Sequence, residues 1–323
     1  LSTRGVSSPI EPRRLQLLCL SLVVMRCQPL RRALGLFVQE QLRLKMRIRS
    51  IGEKGIHCKH DWLRESQIQL RSSQMLRDKA SECLLKAEKL NELSQSQNSY
   101  RNEIISLFED SHAANKTSYL LLGYAFELLL KAGVLSIYVG LSKDLFESEI
   151  KSKFGHDLVK MTGVLGIEID EKENSLLATL KNDITNAARY PVKVNSVDDY
   201  CSVTIDSTSR YSCDDIYNNY MFLYSRIKEF VLRIDNTSDD PKLSYEVCLD
   251  EDGYFIYRSG GSLPTMMVYK FSQLQIKNGE DNRDSLLQLL KSGLKHPAFK
   301  HYIERDWVNS QHLEHKGQKL VSS

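Results

Sequence analysis

The segment from Tyr119 to Gly140 limits the possible folds more than any other part of the chain. It is apolar nearly all round, yet Glu127 and Lys131 stand near its centre. A helix of this kind has no polar face to offer to water, so it belongs in the middle of a bundle, covered by neighbours. Its length alone would let it cross a bilayer. Two charges near the middle argue against that, because one Asp, Lys or Arg at a helix centre costs about 3 kcal/mol on insertion. Gly123 and Gly133 weaken the helix but leave room for a neighbour to approach closely.

The flanking segments carry the matching periodicity. From about Glu65 to Leu93, the residues Leu76, Ala80, Cys83, Ala87 and Leu90 recur at steps of four and three and form one apolar stripe. The Ser94–Ser99 stretch reads as a linker or turn, and a short helix is expected from Arg101 to Asp110. Thr117 and Ser118 are placed to cap the apolar helix. Asp157 opens a helix over Leu158–Leu165, and Asp170 with Glu173 has the spacing of a capping box. The next helix ends at Arg189-Tyr190-Pro191, where proline disfavours a helical predecessor. Val192–Ser212 is polar and β-leaning, and is expected to be a long loop or strand pair. Ser212 and Asp215 suggest a cap before a long helix with Ile216, Tyr220, Leu223, Ile227, Phe230 and Ile234 on one face. Short loops favour antiparallel neighbours. The predicted fold is mainly α, an antiparallel helical bundle over residues 61–235.

The composition changes at Asp235–Pro241. Beyond it, Leu243–Leu249 and Tyr254–Arg258 flank an Asp250-Glu-Asp-Gly253 turn, which is a hairpin signal. Met266–Phe271 is a candidate third strand, and Asp284 a cap for a short helix to Lys291. Residues 242–323 are therefore expected to form a small C-terminal α+β appendage whose basic, aromatic tail from Gly293 is mobile.

The formal net charge of +3 hides an asymmetry: residues 1–80 hold about ten more basic than acidic groups, and the remainder is acidic by about seven. Residues 1–60 thus read as a basic N-terminal arm that could bind nucleic acid or an anionic surface, or could simply be solvated. The stretch before Met46 is rich in Arg and nearly free of Lys, whereas Lys, Glu, Ser and Gln dominate after it, so the physiological start is expected at Met46 or Met75. Leu15–Met25 comes after an arginine pair as a signal peptide would. However, it is too short to span a bilayer and lacks a small-residue cleavage site. The seven cysteines are scattered, with no Cys-x-x-Cys. That pattern favours reduced thiols and a cytoplasmic location.

Three islands carry the chemistry. Glu127 and Lys131, four residues apart, share one helical face. On an apolar helix they must find partners or reach water. Either Glu127 accepts bonds from a neighbouring helix end while Lys131 reaches outward, or both sit beside His156 in a polar pocket. His156 precedes a helix start whose dipole disfavours imidazolium, so the ring can act as a base or as an acceptor bonded to a carboxylate such as Glu127. Asp157 is suited to its own helix's free N–H groups. Arg189 at a helix end could meet a carboxylate or a phosphate, with Tyr190 packing beside it.

In their order, Glu127-x-x-x-Lys131-Ala132, Gly155-His156-Asp157-Leu158 and Arg189-Tyr190-Pro191 resemble the HEPN family of helical-bundle domains over roughly residues 70–235. The resemblance implies an antiparallel bundle that often forms a homodimer or binds a protein partner. It also implies work on or near RNA, in toxin–antitoxin, phage-defence or other stress-response settings. Ribonucleolytic members resemble one another in an Arg-x(4–6)-His motif, which is absent from residues 70–235 here. The only such spacing is Arg305 to His312, outside the bundle. The leading expectation is an interaction or dimerisation module. The alternatives are a divergent metal-independent endoribonuclease using His156, Glu127 and Arg189, with Lys131, Asp157 and Tyr190 around them, and a non-catalytic nucleic-acid binder acting through the N-terminal arm. No cofactor or metal is called for. His57-Cys58-Lys59-His60 and His312-Leu-Glu-His315 each lack a second ligand cluster at zinc-site spacing, and there is no phosphate-cradling glycine loop.

Overall fold

The structure is a computed structural model and describes residues 47–94, 100–188, 196–294 and 296–322. The greater part of the basic arm, Met46, Arg189, Tyr190 and Pro191 lie outside the described residues.

Two long helices form the spine: α1 (Lys59–Ser94) and α2 (Arg101–Ile137). The seam of α1 is built from Ser66, Ser73, Ala80 and Ala87, all buried and spaced by sevens. Small side chains at that spacing let α2 lie close against α1. The two serines are satisfied: Ser66 Oγ donates to the Ala125 carbonyl at 2.6 Å and lies 2.7 Å from Tyr224 Oη, while Ser73 Oγ is bonded to Ser118 and Tyr217. The expected short helix and apolar helix are one continuous α2. Thr117 does not cap it but bonds back to the Ala113 carbonyl, inside the helix. The apolar window of α2 is 78% buried within the protein, so its greasy surface is covered by other helices, as predicted for a central strut.

Those helices come in order along the chain. They are α3 (Lys143–Glu149), continued by a wide π turn over Ile150–Phe154, then α4 (Leu158–Leu165) and α5 (Glu171–Asn182), itself continued by a π turn over Asp183–Ala187. Asp170 and Glu173 do form a reciprocal capping box. The glycines of α2 sit where α5 and α4 cross it. A Cβ on Gly123 would lie 2.6 Å from Ile184 Cγ1, and one on Gly133 would lie 2.9 Å from Leu165 Cδ1.

Residues 197–212, expected as loop or strands, are instead a helix, α6 (Val197–Ser212), capped by Ser196. The next helix, α7 (Asp214–Arg233), starts at Cys213 without a side-chain cap. It buries Tyr217, Tyr220, Leu223, Tyr224, Ile227 and Val231. Tyr119 and Phe126 of α2 meet these tyrosines edge-on, with ring centroids 5.3–6.4 Å apart, a favoured geometry for aromatic quadrupoles.

The chain then forms a five-stranded sheet: β1 (Leu243–Cys248), β2 (Tyr254–Ser259), β3 (Met266–Lys270), β4 (Gln311–Lys316) and β5 (Lys319–Ser322), in spatial order 1-2-3-4-5. All pairs are antiparallel except β3–β4, which is parallel. That parallel step needs a crossover. It is supplied by α8 (Gln273–Asn278), α9 (Arg283–Gly293) and α10 (Pro297–Asp306). Alternation along the strands divides the sheet. Phe255, Tyr257, Met267 and Tyr269 cluster with Leu286, Leu290, Ile303 and Trp307 of the crossover. Ile256, Met266, Val268, Leu313 and Leu320 join the core of the bundle. The tail expected to be mobile is thus a helix and two strands with buried anchors. The fold is mainly α with a small α+β portion. Glu149 of α3, 2% exposed, accepts the Leu320 amide at 2.9 Å and so ties β5 to the bundle.

Candidate functional site

The polar island predicted on α2 is assembled as a contact. Glu127 is 6% exposed and uses both oxygens within the protein: Oε1 accepts from Lys131 Nζ at 2.5 Å, and Oε2 lies 2.8 Å from His156 Nδ1. One helical turn brings Glu127 and Lys131 together. His156 arrives from a different element. The π turn closes with Gly155 N–H donating to the Ile150 carbonyl, and Gly155 adopts φ +50°, a left-handed conformation suited to glycine. Phe154 and Leu158, on either side, are fully buried. They pin the loop, and the imidazole between them is directed onto the carboxylate.

Lys131 does not reach outward. It is 8% exposed, and its ammonium lies 6.0 Å from the centroid of the Trp62 ring of α1, within cation–π range. Trp62 itself donates from Nε1 to the Ile56 carbonyl at 2.7 Å, so the ring is fixed in place. Trp62 was not anticipated in the sequence as part of the site, because nothing local signals that α1 faces Lys131.

Asp157 does what a helix start asks of it: Oδ1 accepts the Lys160 amide at 3.1 Å. Its other oxygen pairs with Lys181 of α5 at 2.7 Å. Burial raises the Asp157 pKa, but the Lys181 ammonium and the Lys160 amide outweigh it and hold the carboxyl below the usual range. Asp157 therefore braces α4 against α5 and does not touch Glu127. Arg189 and Tyr190, the third island, lie outside the described residues.

The chemistry available comes from this geometry. A buried carboxylate at Nδ1 places the proton of a neutral imidazole there and leaves the Nε2 lone pair to serve as base or acceptor. The His156 side chain is 42% exposed, so the ring is not sealed behind apolar groups. Glu127, with both oxygens engaged, is a positioning group.

A second buried polar centre escaped the sequence reading. Asp183 is 0% exposed and holds Arg210 of α6 through two bonds of 2.7 and 2.8 Å, with Tyr211 Oη donating at 3.0 Å. Burial works against the Arg210 charge, but Asp183 overrides it and drives the guanidinium pKa further up. Burial likewise pushes the Tyr119, Tyr211 and Tyr220 phenols up. Arg77 of α1 completes the layer, donating to Asn115 Oδ1 at 2.7 Å and also bonding the Tyr211 carbonyl and Asp214. The missed signal was Ser196-Val-Asp-Asp199, a helix-start spacing whose Ser196 oxygen accepts the Asp199 amide.

The Arg305–His312 spacing does not form a site. Arg305 is bonded to its neighbour Asp306 through Nε and Nη2. His312 is 4% exposed, with Nε2 2.6 Å from the Trp307 carbonyl. Among the described residues, no group of three or more His, Cys, Asp or Glu side chains converges as a metal site would require. His57 faces Glu147 at 3.2 Å and His315 is bonded to Tyr254 and the Gly317 carbonyl.

These features define the class of the chain, a mainly α helical bundle with a sheet docked on it. In comparison with known proteins, no family model, no curated protein and no solved structure matches the chain.

Proposed function

We propose that this chain is a HEPN-like interaction module, whose bundle pairs with a second copy or a protein partner in a stress-response, toxin–antitoxin or phage-defence setting. The setting rests on the resemblance of the three islands. The observation that carries the non-catalytic reading is the closed circuit at Glu127: its two oxygens are consumed by Lys131 and His156, so the motif satisfies itself and fixes how α1, α2 and the His156 loop meet. The bundle offers no Arg-x(4–6)-His pair, and the buried Arg77 and half-buried Arg210 are committed to Asp214 and Asp183. The free thiols of Cys58, Cys83, Cys201, Cys213 and Cys248 accord with a cytoplasmic location. Two measurements test the reading together. Sedimentation of the purified chain should give a dimer, or a stable complex with a protein partner, and incubation with RNA in the presence of a chelator should give no specific cleavage. Cleavage that His156→Ala abolishes overturns it.

A second reading has one observation in its favour. The half-exposed His156 ring, held at Nδ1 by Glu127 and with no hydrogen bond at Nε2 among the described residues, is what a metal-independent endoribonuclease would need for proton transfer. Under that reading, Glu127→Gln leaves RNA binding intact and lowers the cleavage rate.

A further inference from the structure

A cleft lies away from Glu127 and His156, where the start of α1 meets the end of α7. Its volume is about 530 Å³, within the range of small-molecule sites. One wall is the segment preceding α1, held by backbone bonds of 2.9 Å between Ile48 and both Gly140 and Leu141. The opposite wall is Leu232–Asn236 with Lys242. The floor is apolar, made by Leu63, Leu135, Val139 and Ile234.

The charges around this cleft do not cancel. Its two carboxylates are both engaged: Glu53 with Lys143 at 2.7 Å, and Asp235 with Arg258 at 2.6 Å and Lys242 at 3.2 Å. Asp235 is held in the left-handed region at φ +65°. These two bonds and the Asp235 amide bond to the Gly261 carbonyl over-determine that uncommon conformation. Lys59, the first residue of α1, has no carboxylate within 4 Å among the described residues. Among those residues its ammonium donates to the Ile234 carbonyl alone, at 3.1 Å. The remaining ionisable groups lining the cleft are Arg49, His57 and His60, with Cys58 beside them, and none of them is acidic.

We propose that this cleft binds a small amphipathic anion, with its carboxylate or other oxyanion head between Lys59 and Lys242 and its apolar body on the floor beneath. Titration of Lys59 is consistent with that geometry. Burial, reinforced by Arg258 and Lys242 and opposed by Asp235, lowers its pKa to about 8. An anion seated there restores the missing counter-charge and favours the protonated amine.

Hexanoate, acetate and hexanol test the proposal on the full chain. Acylation of Lys59 by trace acetic anhydride, read by peptide mass spectrometry, should be suppressed by hexanoate. Suppression should need about tenfold or more acetate, which lacks the apolar body, and hexanol, which lacks the charge, should be far weaker. Calorimetry should show hexanoate affinity falling about tenfold or more from about pH 7.5 to about pH 9.5, as Lys59 loses its proton and the carboxylate does not change. Lys59→Met should abolish binding, and Lys242→Met should weaken it while leaving the labelling of Lys59 measurable. Equal protection by hexanol and hexanoate overturns the proposal. So does an absence of hexanoate protection in the wild-type chain at about 50 mM, a concentration that saturates a millimolar site.

Discussion

Replacing Glu127 by glutamine tests whether the circuit on α2 is structural. The side chain keeps its size and loses its charge. Lys131, whose side chain is 11% exposed, then holds an ammonium without a carboxylate. Removing one partner of a buried pair costs about 3–5 kcal/mol. The Trp62 ring offsets about 1 kcal/mol of that, and the amide oxygen can still accept one bond. Glu127→Gln should therefore destabilise the fold by about 2–3 kcal/mol. Lys131→Met should cost less, about 1–2 kcal/mol, because Glu127 keeps its contact with His156. His156→Ala should cost about 1 kcal/mol, since water reaches that side of the pair. The double variant Glu127→Gln with Lys131→Met should be milder than the sum of its parts by at least about 1 kcal/mol. Urea unfolding supplies each value from midpoint and slope. Additive effects, or a Glu127→Gln variant within about 0.5 kcal/mol of the wild type, would refute the view that this contact holds the bundle together.

Arg210→Met strands the fully buried Asp183 carboxylate and should destabilise by about 3–5 kcal/mol, with Asp183→Asn milder, as denaturant melts would show. Gly123→Ala gains helix propensity but drives a methyl into Ile184, so a net loss on the order of 1 kcal/mol is expected, again by denaturant melt. Asp157→Ala removes the cap of α4 and should cost about 1 kcal/mol at neutral pH. Because the folded-state carboxyl pKa of Asp157 lies below its unfolded value, its contribution is present above about pH 4 and fades as the pH falls through the lower folded value. Wild-type and Asp157→Ala stabilities should accordingly converge in acid.

Much of the bundle was legible because its signals are local. The apolar run of α2 had to be interior, and a lone Glu and Lys on it had to find partners. The Asp170–Glu173 box and the spacing along α7 act within one or two turns. The failures have a common physical cause. Of all the residues of α6, only Tyr211 is buried. Its Ser, Asp and Thr residues favour other conformations locally, and tertiary bonds through Arg210 hold it helical. The strand at residues 311–316 depends on parallel pairing with β3 across some forty residues, which no local pattern encodes, and β5 in turn pairs with it. Within the site, Glu127, Lys131 and His156 were brought together as read, while Trp62 and Lys181 come from other helices and had no sequence signal.

The two π turns carry a consequence for how this chain tolerates length changes. Each holds one residue more than the α turn it replaces, and each sits directly upstream of a committed side chain or contains it. Excising one residue from Ile150–Phe154 would restore ordinary winding and swing the imidazole by roughly 100° about the helix axis, off its carboxylate, with every neighbouring side chain chemically intact. The phase of winding, set by a surplus residue, is as much a determinant of this centre as the identity of the groups that meet there.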